Sequence, residues 1–151
     1  MKVDKVIDCE SPFDEVTEIG TPITSPNYPS DYYALRDCQI TIRFASDEIV
    51  SVTLQEFDVE SHSTCKYDYL TAYDGSDINT WNQIGSKMCG TRPEGMIINS
   101  TRNIMTLHFH SDHTGSGTGF RAYANAIKGK LIFQYNQTIR KIFSDLNYDS
   151  I

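Results

Sequence analysis

Apolar and polar residues alternate with a period of two through most of the first 126 positions. Ile40, Ile42 and Phe44 are interleaved with Thr41 and Arg43, and Val50, Val52 and Leu54 with Ser51, Thr53 and Gln55. Leu70 and Ala72 alternate with Tyr69, Thr71 and Tyr73; Met105, Leu107 and Phe109 with Thr106, His108 and His110; Phe120, Ala122 and Ala124 close the series. Successive side chains of a strand point to opposite faces, so the pattern predicts one buried and one wet face per strand. Turn chemistry falls between the runs. Ser25-Pro-Asn-Tyr-Pro29 is excluded from a central strand because its prolines lack N–H donors. Asp74-Gly75, Arg92-Pro93, Glu94-Gly95 and Gly115-Ser-Gly-Thr-Gly119 supply further breaks. The expected fold is all-β, a two-sheet antiparallel β-sandwich.

The period changes after residue 126. Ile132, Tyr135, Ile139, Ile142, Phe143 and Leu146 recur at spacings of three and four, the stripe of an amphipathic helix. Three fates stay open for it: packing on the sandwich, starting a neighbouring module, or remaining disordered in isolation. Charge changes at the same place. Residues 1–126 carry 18 acidic against 9 basic side chains, and residues 127–151 carry 2 against 4. An acidic domain argues against nucleic acid or an anionic membrane as partner and favours cations or basic protein surfaces. No run approaches the roughly 18 apolar residues of a spanning helix, so no membrane insertion is expected. Met1 to Asp8 has no continuous apolar stretch, so no signal peptide is expected within this sequence. A secreted origin would make it an excised fragment, a mature form with a start Met, or a truncated gene model.

Four cysteines, Cys9, Cys38, Cys65 and Cys89, lie far apart with no C-x-x-C pair to suggest zinc or redox chemistry. They allow three pairings. The sequential one closes two loops of moderate length, each worth about 3 kcal/mol of loop entropy; four free buried thiols are the alternative. Two sequons, Asn99-Ser-Thr101 and Asn136-Gln-Thr138, point to the secretory route and to glycosylation at Asn99 and Asn136.

Several segments in a fixed order resemble the CUB domain family. They are Ile23-Thr-Ser-Pro-Asn-Tyr-Pro29, Val52-Thr-Leu54 with Phe57-Asp-Val-Glu60, and Cys65-Lys-Tyr-Asp68-Tyr-Leu70 leading into Asp74-Gly75. Cys89-Gly90, Leu107-His-Phe-His-Ser-Asp112 and Gly119-Phe120-Arg-Ala122 come after them. The resemblance runs from Cys9 to about Ala126. It implies an extracellular jelly-roll module over 9–126, an extension over 1–8 and a tail or linker over 127–151. It also implies the disulfides Cys9–Cys38 and Cys65–Cys89, and a Ca2+ site of the family's calcium-binding subgroup. The ligands carried over are Glu60, Asp68 and Asp112, with Thr114 and Gly115 in the adjoining loop, and Tyr32 supporting the acids from behind. Members of that subgroup accept a partner's lysine ammonium on the same acids, so Glu60, Asp68 and Asp112 are expected to meet a Lys or Arg of a protein ligand.

Departures from the family pattern are visible. Glu10-Ser11 replace a glycine pair, Ile40 stands where a tryptophan is common, and Ala124 where an aromatic often ends the last strand. Gly115 occupies a position where an asparagine often adds a ligand; a glycine has only its carbonyl to offer. The ion itself takes roughly 6–8 oxygen ligands in a tolerant geometry. Three carboxylates against a divalent cation leave an excess charge of −1, which suits a basic side chain.

Two other functions compete. His108-Phe-His110-Ser-Asp112-His113 spells H-x-H-x-D-H, the metal-binding string of metallo-β-lactamase-like hydrolases, and imidazoles suit zinc. That chemistry needs further histidines downstream, and none follows His113. No G-x-S-x-G, H-E-x-x-H or phosphate loop is present, so the expectation is not an enzyme but a non-catalytic module. A calcium-independent carbohydrate binder, with an exposed Tyr69–Tyr73 face stacking on sugars, is the other competitor. Within the non-catalytic reading, the module could be an accessory domain beside a secreted metalloprotease. His62 and His113 fall in loops expected to flank the ion, where protonation in mildly acidic solution would weaken its binding.

Overall fold

The computed structural model describes residues 2–7, 9–11 and 14–145, and for 130–133 the backbone alone. Its strands are β1 (Lys5–Val6), β2 (Glu15–Val16), β3 (Thr21–Thr24), β4 (Arg36–Arg43), β5 (Glu48–Val59) and β6 (Tyr69–Asp74). They continue with β7 (Gln83–Met88), β8 (Gly90–Thr91), β9 (Ile97–Asn99), β10 (Ile104–Ser111) and β11 (Gly119–Lys128), followed by one helix, α1 (Gly129–Asp145). Two sheets form. One has the order β1-β3-β11-β5-β8, with β9 also on β5; the other runs β2-β4-β10-β6-β7.

The long strands pair antiparallel, as the alternation predicts. The two-residue strands β1 and β2 add to their sheets in parallel, on β3 and β4, which makes both sheets mixed. Through β1, residues 5–7 join the sandwich: the Ile7 amide donates to the Thr24 carbonyl at 2.9 Å, and Ile7 is buried. The core is the inward set of each strand. Ile40, Ile42, Val50, Val52, Leu70, Leu107, Phe109 and Phe120 are all fully buried, each such side chain contributing roughly 1.5–3 kcal/mol by leaving water.

The outward set departs from expectation on the central strands. Thr71 and Thr106 are fully buried and Tyr73 nearly so. Small hydroxyl side chains on β6 and β10 lie beneath the longer Tyr69, Tyr73, His108 and His110, whose rings pack together above them. Lys87 sits 3.8 Å over the Tyr69 ring. The Tyr69–Tyr73 face is therefore occupied by its own neighbours and is not an open platform.

A bulge in β5 sets the direction of the residues at its end. The register against β11 shifts between Arg121 and Ala122, so that Leu54 and Phe57 both face the core although three residues separate them. An extra residue in one strand reverses the alternation beyond it. From there Phe57 and Val59 point inward, and the strand carries Glu60 to the end of the sandwich. The disulfides are Cys9–Cys38 and Cys65–Cys89. The helix α1 extends the chain beyond β11, leaving Tyr135, Ile142 and Phe143 of its apolar stripe exposed. Ile132 and Leu146 of that stripe lie outside the described side chains.

A candidate metal centre at one end of the sandwich

Three segments distant in sequence end at the same tip. Glu60 follows β5, Asp68 precedes β6, and Asp112 follows β10. The β6–β10 ladder stops at the pair Tyr69–His110, which leaves Asp68 and Asp112 just beyond its end on adjoining strands. One carboxylate oxygen from each acid lies within 4.8 Å of the others, the convergent group of three metal-binding side chains among the described residues.

Each acid is held differently. Asp68 is fully buried. Its Oδ2 accepts from the Tyr32 hydroxyl at 2.7 Å and its Oδ1 from the Asp112 amide at 2.8 Å. Tyr32 is itself buried, edge-on to Phe109 with ring centroids 5.1 Å apart, and its hydroxyl oxygen accepts from the Glu60 amide at 3.0 Å. One phenol thus fixes two of the three segments. Burial first, and then the bond to Asp68, push the Tyr32 hydroxyl well above the usual tyrosine range, so it remains a donor. Asp112 Oδ1 accepts from the Thr114 amide at 2.9 Å. The adjacent Ser111 hydroxyl donates to the Tyr33 carbonyl at 2.7 Å and accepts from the Arg36 amide at 3.0 Å.

Glu60 is the strained member. Burial and the charges of Asp68 and Asp112 raise its pKa, with His62 acting in the opposite direction. Its Oε2 is buried without a hydrogen-bond partner. Gly115, at φ +79°, passes directly beneath this carboxylate, and a Cβ there would collide with it. A side chain at this position, such as the asparagine of the family pattern, would require the Glu60 carboxylate to move aside and a left-handed backbone to be kept. Gly117 makes a second close approach: a Cβ on it would strike the Asp58 carbonyl, while the Tyr32 amide donates to the Gly117 carbonyl at 3.1 Å. Asp58 also accepts from the Thr118 amide at 3.4 Å. Asp58, Ser111 and Gly117 were not singled out by sequence reasoning as parts of the site. Asp58 and Ser111 nonetheless lie inside segments that carry the family resemblance, and the close glycine spacing of the 115–119 loop was the signal for Gly117.

The donor set fits a hard divalent cation: three carboxylates and no sulfur or nitrogen donor, with one buried oxygen unpartnered. The Thr114 amide is taken by Asp112, and Gly115 lies against the Glu60 carboxylate. Of the three acids Asp68 is fully buried, while Glu60 and Asp112 are half-buried. The histidine string does not converge. His108 and His110 remain on the outer face, both against Asp37, His110 Nδ1 lying 3.9 Å from its Oδ2. Asp112 and His113 leave the strand for the tip. His62 uses Nδ1 to accept from the Thr64 amide at 3.2 Å, and exposed His113 lies 4.0 Å from Asp112.

The family model described as CUB domain matches residues 9–123. Rat cubilin is 33% identical over 117 residues, covering 76% of this chain and 3% of that protein. The zinc metalloproteinase nas-39 of Caenorhabditis elegans is 34% identical over 117 residues, 78% of this chain and 12% of that protein. The chain thus spans a small part of these relatives. Among solved structures, the MASP-1 CUB2 domain bound to Ca2+ superposes with a TM-score of 0.64 at 28% identity, covering 75% of this chain and 97% of that domain.

Proposed function

The chain belongs to the CUB domain family, and on that footing we propose that it is an extracellular, non-catalytic recognition module whose acidic tip binds calcium and accepts a basic side chain of a protein partner. We place the module over residues 9–126, with 1–8 as an extension whose β1 adds to one sheet, and 127–151, which holds the end of β11 and α1, as a tail or linker. The observation that carries the function is the convergence of Glu60, Asp68 and Asp112 within 4.8 Å. The Ca2+-bound state of the MASP-1 CUB2 domain supports it.

Glu60, Asp68 and Asp112 would hold the ion, with loop backbone from Thr114 and Gly115; calcium would supply the positive charge that lets three carboxylates share one site. The chain's own residues do the rest. Tyr32 orients Asp68 and ties the Glu60 backbone to it. Asp68, buried, holds the Asp112 amide. Glu60 and Asp112 form the outer rim and present the residual negative charge to a lysine or arginine. Exposed ion pairs contribute little singly, so pre-arranging the rim is what gives selectivity.

The test is capture of a lysine-bearing peptide and of its acetylated form, each in calcium and in chelator. Only the unmodified peptide in calcium is expected to be retained, and Asp112→Ala is expected to lose it. Retention unchanged by chelator would reject the role of the ion. The similarity to a metalloproteinase favours a second placement, as an accessory domain within a larger secreted enzyme. Carbohydrate binding through Tyr69 and Tyr73 is disfavoured, since Tyr73 is buried and Tyr69 is capped by Lys87.

A further inference from the structure

Apolar surface left over from the sandwich gathers along one seam. Trp81, the one tryptophan of the chain, is 91% exposed in the connection between β6 and β7. Ile97, on the short strand β9, is 58% exposed. Between these edges runs a shallow cleft of about 420 Å3, lined by Trp81, Asn82 and Gln83 on one side and by Asn99, Thr101 and Arg102 on the other. A second cleft of about 320 Å3 holds Ile84, Met96 and Ile97. Asn99 borders both and is exposed. It is also the acceptor residue of a sequon. Trp81 and Ile97 thus leave aromatic and aliphatic surface in water on either side of Asn99.

We propose that an N-linked glycan on Asn99 folds back along this seam, its core sugar stacking on Trp81 and shielding Ile97. The inference rests on the extracellular placement of the module. A pyranose has one apolar C–H face and a polar rim. Indole offers the flat apolar surface, and Asn82, Gln83 and Arg102 offer donors and acceptors around it. The exit of Asn99 is fixed by its neighbours. The Ser100 hydroxyl donates to the Val50 carbonyl at 3.2 Å, and the Thr101 amide donates to Asp74 at 3.2 Å. The Thr101 hydroxyl also binds Asp74, so attachment, which uses the sequon hydroxyl, precedes closure of the fold. In that step Asn99 Nδ2 bonds to the anomeric carbon of a polyprenyl-pyrophosphate-linked oligosaccharide. The bond from that carbon to the pyrophosphate oxygen breaks, its electron pair leaves with the pyrophosphate, and one amide proton passes to solvent.

Trp81 provides its own probe. The full chain, secreted from mammalian cells with Asn136→Gln so that Asn99 is the one sequon left, is first mapped for occupancy by mass spectrometry. Acrylamide quenching of Trp81 is then compared before and after complete enzymatic removal of the glycan from the folded protein, and after trimming to a single sugar. A sugar over one face of the indole is expected to lower quenching about twofold, to retain that protection when trimmed, and to lose it on complete removal. Occupied Asn99 with unchanged quenching would overturn the proposal while leaving the extracellular placement intact. An unoccupied Asn99 would likewise overturn the proposal, again without touching the extracellular placement.

Discussion

Tyr32 and Glu60 show how single residues set the state of the tip. The Tyr32 hydroxyl donates its proton to Asp68 and accepts from the Glu60 amide, both in a buried setting. Tyr32→Phe removes both bonds and leaves a buried carboxylate oxygen and an amide short of a partner, a cost of about 1–3 kcal/mol. Chemical denaturation should show that loss, and calcium titration a weaker site; a fully stable Tyr32→Phe variant with native affinity would contradict the bridge. Glu60 works in the other sense. Its pKa is raised by burial and by Asp68 and Asp112, so without a cation the folded state binds more protons than the unfolded chain. Stability then falls as pH rises through that raised value. Glu60→Gln is expected to raise the melting temperature in chelator at neutral pH and to abolish the increase that calcium gives the native protein. A variant equally destabilised in both buffers would show that Glu60 is structural instead.

Strand ends decide where these residues meet. The bulge on β5 sets the phase that brings Glu60 out of the sheet, and the end of the β6–β10 ladder places Asp68 beside Asp112. Period-two alternation made the strands and their inward faces legible in the sequence, because burial of one face imposes it. The bulge was not legible, since Val52, Leu54, Phe57 and Val59 fit two phases and only pairing with β11 chooses. Nor was the filling of the outer face, where Thr71 and Thr106 are covered by rings from neighbouring strands. The acids themselves were legible only through the family pattern; their spacing in sequence says nothing of a shared tip. The other end of β11 carries a further testable pair. Lys128 donates to Glu48 at 2.6 Å, which, with the Ala45 amide, lowers the Glu48 pKa. A lowered carboxylate pKa adds stability that is present above the unfolded value and is lost as pH falls through the folded one. Lys128→Ala should therefore flatten the acid side of the stability profile, read as denaturation midpoints from neutral pH downward. An unchanged acid limb would remove the pair from the account.

At the scale of the molecule, a two-sheet sandwich with the disulfides Cys9–Cys38 and Cys65–Cys89 brings together three carboxylates that electrostatics alone would drive apart. Cys65 of the Cys65–Cys89 disulfide lies just before Asp68 in the chain, so the staple anchors the segment that carries this acid. The excess of acidic over basic side chains adds to that repulsion, with a formal net charge of −7. The most direct test of the whole account is a calorimetric titration of calcium into the native protein and into Asp112→Ala. One site is predicted, with a Kd of about 10⁻⁴–10⁻³ M as is typical of extracellular modules, and no measurable heat in the variant. Equal binding by both proteins would contradict the account.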